Sequence, residues 1–123
     1  PDDAERIRAE IRTAVADIAE APEAQQRSRL VESGLAMPHW PRPWGRAAGP
    51  VEQLVIDEEV ARAGLGKVQL GITGWILMAL IQHGTPEQVQ RWIRPALDGE
   101  KVWCQLFSEP GAGSDAAAIR TRA

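Results

Sequence analysis

Cysteine is almost missing from this chain. Cys104 stands alone among 123 residues, which excludes an internal disulfide and fits a reducing compartment. With only His39 and His83 beside it, no cluster at metal-ligand spacing can be assembled, so no metal ligands are assigned. No excess of charge of one sign is present either: 14 basic and 17 acidic residues are interspersed along the chain, for a net charge of −3. That leaves no basic face for nucleic acid or for an anionic membrane, and both partners are excluded. Long apolar runs are lacking as well. The longest, Trp75 to Ile81, falls far short of the ~20 residues of a membrane span, and the charged start PDDAERIRAEI is unlike a secretory signal. A cytoplasmic location is expected.

A hydrophobic fraction of 44% beside 25% charged residues is enough to build one globular core. Ile7, Ile11, Ala14, Val15 and Ile18 recur at helical spacing and predict a first helix over Asp3 to Ala21. A short second helix is expected within PEAQQRSRLVESGL, ending at Gly34. Between Gly34 and Pro50 four prolines and three glycines break regular structure, and Trp40 and Trp44 should hold this connector against the helices. Pro50 suits the first position of a third helix, with Val51, Leu54 and Val55 on its inner face, the acidic run Asp57-Glu58-Glu59 in solvent, and Gly64 as its stop. ITGWILMALIQHG is apolar almost all round and reads as the centre of the bundle. Thr85-Pro86-Glu87-Gln88 predicts a capping box, opening a fifth helix whose apolar positions are Val89, Trp92, Ile93 and Leu97.

At VWCQLF the period changes to that of a strand, with Val102, Cys104 and Leu106 on one face and Trp103, Gln105 and Phe107 on the other. A lone strand makes no sheet, so the sequence looks cut. The loop FSEPGAGSD, residues 107–115, then leaves backbone almost bare of side chains around Gly111 and Gly113. Two readings are open for it: an ordinary turn closed by Ser114 and Asp115, or a surface against which a ligand lies.

Two stretches in order carry a resemblance. HGTPEQVQRWIRPALDGEKVW holds Gly84, Thr85, Glu87, Gln88, Pro95, Leu97, Gly99 and Glu100, and CQLFSEPGAGSDAAAIRTRA holds Ser108, Glu109, Pro110, Gly113, Ser114 and Asp115. Together they resemble the acyl-CoA dehydrogenase family, with a less sharp likeness reaching upstream to about residue 30. The resemblance implies an all-α fold class, the N-terminal helical bundle of that family over residues 1–101, with the start of its middle β-domain over residues 102–123. It implies an enzyme that takes hydrogens from the α and β carbons of an acyl-CoA thioester and passes a hydride to FAD. Gln105, Leu106, Phe107, Ser108, Gly113 and Ser114 are the implied cofactor-binding residues, and Ser114 also meets the CoA portion of the substrate. The catalytic base comes from a C-terminal domain in the family, so no catalytic residue is assigned, Glu109 included, and the segment alone should not catalyse. The helix ITGWILMALI resembles one bordering the acyl-tail pocket, where Trp75, Met78 and Ala79 either shape the pocket or are plain core. The implied partners are the acyl-CoA substrate, further subunits of a homo- or hetero-oligomer (dimer or tetramer), and an electron-transferring flavoprotein as acceptor. A non-catalytic partner subunit of a heteromeric enzyme is the alternative.

Overall fold

The structure, a computed structural model, describes residues 2–122. Five helices follow one another: α1 Asp2–Ala19, α2 Glu23–Glu32, α3 Pro50–Arg62, α4 Ile72–His83 and α5 Pro86–Leu97, with a single 3-10 turn at Ala116–Ala118. α1 packs on α2 and α3, and α4 packs on α5. One core joins the two groups: Ile11, Val15 and Ile18 of α1 meet Leu30 of α2, Ile56 of α3, Leu77 of α4 and Ile93 of α5. Among the described residues no helix is long and apolar enough to cross a membrane.

The first helix buries the expected stripe, and the connector is ordered as the two indoles imply. Trp40 is buried, Trp44 packs against the core, and the Arg46 and Ala48 N–H groups both donate to the Pro38 carbonyl at 3.0 and 2.9 Å. Gly45 is required there, because a Cβ would run into the carbonyl oxygens of Met37 and Trp40. The capping box of α5 forms as predicted: the Gln88 N–H donates to Thr85 Oγ1 at 3.2 Å, and the Thr85 N–H donates to Gln88 Oε1 at 2.9 Å.

Three expectations are corrected. In α3 the inner face is Val55, Ile56, Glu59 and Val60, while Val51 and Leu54 are 62% and 60% exposed. Glu59, expected in solvent, is 2% exposed. α1 causes this, since Arg8 and Arg12 lie one helical turn apart and converge on that carboxylate. Arg8 Nη1 donates to Glu59 Oε1 at 2.9 Å, Arg12 Nε to Oε2 at 3.0 Å, and Arg62 Nη1 to Oε1 at 3.3 Å. A buried carboxylate with this many charge-assisted partners is satisfied where an unpaired one would not be.

The second correction concerns α4, which buries only Thr73 and Leu77 and lies at the side of the bundle. An all-round apolar helix reads the same whether its second face meets core or borders a groove, and here it borders one. The third concerns VWCQLF. Among the described residues there is no strand, because a strand exists through its ladder and residues 102–107 find no partner to pair with.

Hydrogen bonds from Arg12 and then Arg8 hold the Glu59 carboxyl down from its ordinary 4.5 to about 2. A folded-state value below the unfolded one means the carboxylate's contribution is complete above about pH 4.5 and is lost as pH falls toward about 2. Urea unfolding of the chain should therefore weaken across that window. Glu59→Gln should be less stable at pH 7 and lose less on acidification. Parallel pH profiles for the two proteins would contradict the assignment.

Candidate functional site

Beyond α5, Gly99 turns the chain at φ +84°, a left-handed conformation suited to glycine, and the Glu100 and Lys101 N–H groups return to the Pro95 carbonyl. This exit directs residues 101–107 past the first turns of α4. Trp103 then anchors them. Its backbone N–H donates to Thr73 Oγ1 at 3.0 Å, and its ring meets Trp92 edge-on with centroids 5.3 Å apart. The Arg91 guanidinium covers the other indole of that pair at 4.6 Å. The Trp103 indole Nε1–H is buried without a partner among the described residues.

Between α4 and the anchored segment lies an apolar groove of about 410 Å³. Ile72, Trp75, Ile76 and Ala79 form one wall, and residues 103–107 form the other. Trp75 is 72% exposed, Leu106 86% and Phe107 68%, a continuous apolar surface. A second groove, of about 420 Å³, lies across the Trp75 indole, with Trp40 and Met78 on its inner side and residues 67–71 along its edge. Of the three α4 residues singled out from the sequence, Trp75 and Ala79 thus border the first groove, and Met78 borders the second.

The sequence-predicted cofactor residues divide into two sets. Gln105, Leu106 and Phe107 line the first groove, whereas Ser108, Gly113 and Ser114 lie beyond it and are exposed. Among the described residues nothing accepts from the backbone N–H groups of 104–108. Glu109 and Ala112 close a tight turn by exchanging both backbone hydrogen bonds at 3.0 Å, and Ala112 is buried beneath it. Neither Gly111 nor Gly113 has a positive φ, and a Cβ at either would meet open space. The turn itself therefore does not demand these glycines. Nor do the Ser114 hydroxyl and the Asp115 carboxylate bond local backbone, so the closure expected of an ordinary turn is not found. Glu109 is engaged elsewhere. Its carboxylate accepts from the Thr121 hydroxyl and from the Arg120 and Thr121 N–H groups, which hold its pKa below the ordinary value. It is a structural clasp for the tail.

Sequence reasoning missed the Thr73–Trp103 bond, for which a threonine inside an apolar helix was the sole signal. It also missed the ionic cluster on Glu59, signalled by two arginines four residues apart on α1.

A helical bundle ending in an apolar groove beside a glycine-bearing loop defines the class, and comparison with known proteins gives the family. Residues 3–100 match the family described as Acyl-CoA dehydrogenase, N-terminal domain. The chain belongs to the acyl-CoA dehydrogenase family. It is 50% identical over 117 residues to the acyl-CoA dehydrogenase FadE34 of Mycobacterium tuberculosis, covering 95% of this chain and 16% of that protein. It is 38% identical over 102 residues to the acyl-CoA dehydrogenase IpdE1 of Mycolicibacterium smegmatis, covering 76% of this chain and 24% of that one. The crystal structure of the ChsE4-ChsE5 complex from Mycobacterium tuberculosis is similar with a TM-score of 0.59 at 26% identity, covering 98% of this chain and 34% of that one. The chain thus spans about a sixth to a quarter of the curated relatives it matches.

Thr73→Val keeps the shape of the side chain and removes the acceptor, leaving the Trp103 N–H unpaired. We expect a loss of about 1 kcal/mol in stability, with faster amide exchange at residues 103–107 and little change in α1 to α3. Unchanged exchange at 103–107 would show that the segment is held by something else.

Proposed function

We propose that this chain is the N-terminal part of an FAD-dependent acyl-CoA dehydrogenase, with residues 1–101 as its helical domain and residues 102–123 opening its middle β-domain. The observation that carries this reading is the run of unpaired backbone N–H groups at 104–108 beside an apolar groove, followed by glycine backbone that faces open space. Such a run suits a flat, polar-edged cofactor, because main-chain donors need no side chain between them and the ligand. FAD, when bound, supplies the acceptor for the hydride that leaves the substrate's β carbon. Gln105, Leu106, Phe107 and Ser108 would hold its polar edge through main-chain groups, and Gly113 and Ser114 would border its ribityl–pyrophosphate part, with Ser114 also meeting the CoA moiety. The groove on α4 would take the acyl tail and exclude water from it. The base that removes the α proton lies outside these residues, so the segment by itself is inactive.

Family membership supports the rest of the proposal: an acyl-CoA substrate, an electron-transferring flavoprotein as acceptor, and a cytoplasmic oligomer acting in fatty acid and lipid metabolism. A second reading, a non-catalytic subunit of a heteromeric dehydrogenase, is favoured by the similarity to a solved complex of two different proteins. The two differ in whether the C-terminal domain carries a glutamate aimed at the substrate's α carbon.

Gly113→Val tests the cofactor assignment in a protein carrying the complete family architecture. The parent should be yellow as purified. The variant places a branched side chain where the backbone now faces open space, and should bind FAD at least about tenfold more weakly, the equivalent of roughly 1.4 kcal/mol. A variant that retains all of its flavin would refute the placement of this loop against the cofactor.

A further inference from the structure

We infer that Glu109 is a positioning residue for the cofactor loop: by tying residues 120 and 121 back to position 109, it closes the segment 109–121 on itself and fixes where Gly113 and Ser114 stand before FAD binds. The inference rests on the functional reading above, which puts those two residues beside the ribityl–pyrophosphate part. Three donors converge on one carboxylate. Its Oε2 accepts from the Arg120 N–H at 3.0 Å, and its Oε1 accepts from the Thr121 N–H at 2.7 Å and from the Thr121 hydroxyl. A carboxylate suits this arrangement because it accepts at both oxygens and donates at neither.

Inside the closure the chain is held at its two ends and not in between. At the near end Glu109 and Ala112 exchange backbone hydrogen bonds at 3.0 Å, with Ala112 buried. At the far end the Ala118 N–H donates to the Asp115 carbonyl at 3.1 Å, and the Glu109 carboxylate takes the N–H groups of Arg120 and Thr121. Gly113 and Ser114 lie between, exposed, and their backbone N–H groups find no acceptor among the described residues. Their position is therefore set by the ends. Opening the far end returns to the segment the freedom that closing a loop removes, and FAD would then have to order it on binding. Apparent affinity falls with the fraction of molecules that hold the binding-competent conformation. Glu109 thus acts through the loop, its own oxygens being engaged by the tail.

The experiment uses the complete flavoprotein, stripped of FAD and titrated with it again, as parent, Glu109→Gln, Thr121→Val and the double variant. Glu109→Gln has to turn its amide NH2 toward one of the three donors, whereas Thr121→Val removes the hydroxyl alone. FAD affinity is read from the change in flavin fluorescence, loop order from amide exchange of the apoprotein at residues 113–121, and the helical body from its melting by circular dichroism. Glu109→Gln should bind FAD about tenfold more weakly and Thr121→Val about threefold, the order expected when hydrogen bonds to a charged acceptor are lost. Exchange at residues 113–121 should quicken in both apoproteins, with helix melting as in the parent. Because both variants break the same clasp, the loss in the double variant should fall short of the product of the single losses. Parent-like FAD affinity in Glu109→Gln, single losses that multiply in the double variant, or a loss of affinity matched by a fall in helix melting would overturn the role of Glu109 and leave the functional reading standing. If Glu109→Gln does not fold, Thr121→Val decides alone, and parent-like affinity there overturns the inference. A parent that binds no FAD would overturn the functional reading, and this inference with it.

Discussion

The hydrogen bond from the Trp103 backbone N–H to the Thr73 hydroxyl joins residues thirty positions apart, and the candidate site hangs on it. Its weight follows from magnitudes. A hydrogen bond of this kind contributes about 1 kcal/mol net and an edge-on aromatic pair about as much again. Ordering one residue of backbone costs about 1–2 kcal/mol. The anchor therefore offsets the ordering of Trp103 and a neighbour or so, and not of the five residues from 104 to 108. The outer wall of the groove is held firmly at one end, and its remaining support must come from a sheet partner, a cofactor or a substrate. This is why unpaired N–H groups and apolar side chains occur together along it: one set awaits polar contact and the other apolar contact.

The ionic cluster on Glu59 does the corresponding work at the other side of the molecule. Two guanidinium groups of α1 fix the last turns of α3, whose own Arg62 joins the cluster, and α3 leads through Gly64, at φ +71°, into residues 65–71. Residues 67–71 edge the second groove, and the stretch is anchored by the buried Leu65 and Val68 and by the Lys67–Asp57 pair at 3.2 Å. The exposed pair contributes little in water. The buried apolar anchors and the rigid end of α3 therefore decide where this edge lies. Both grooves are thus built the same way, with α4 shared between them and a strap tied to the helical body on each far side.

What was legible in the sequence is what depends on neighbours close along the chain. The stripe of α1, the capping box of α5, the glycine stops at Gly34 and Gly64, and the packing of Trp40 all follow from local spacing. The inner face of α3 was not legible, because Val51, Leu54, Val55, Ile56 and Val60 offer two apolar stripes. The choice between them was made by Arg8 and Arg12, some fifty residues upstream. The strand at 102–107 was misread for a related reason: alternating β-branched and aromatic residues record a preference, and the ladder that would realise it needs a second chain segment. Of the predicted cofactor residues, Gln105, Leu106 and Phe107 line a common groove with α4, while Ser108, Gly113 and Ser114 are set apart from it by the Glu109–Ala112 turn. The family pattern supplied the residues, but their division into two sets is a property of the turn.

α4 shows why the site could be sensed from composition yet not located by it. A helix that is apolar on every face has to be covered on every face, and burial of apolar area contributes about 25 cal/mol per Å². In this chain Thr73 and Leu77 meet the core, while Trp75, Ile76 and Ala79 meet an open groove. If that second face had no contact to make, polar residues there would favour solubility at no loss to the core. Its apolar character is therefore not explained by the helical bundle, and it sits directly opposite a segment whose own hydrogen bonds are incomplete. Two deficits of opposite kind, apolar surface without cover and backbone donors without acceptors, face each other across about 410 Å³. A thioester with a greasy tail beside a cofactor with a polar edge would fill both at once.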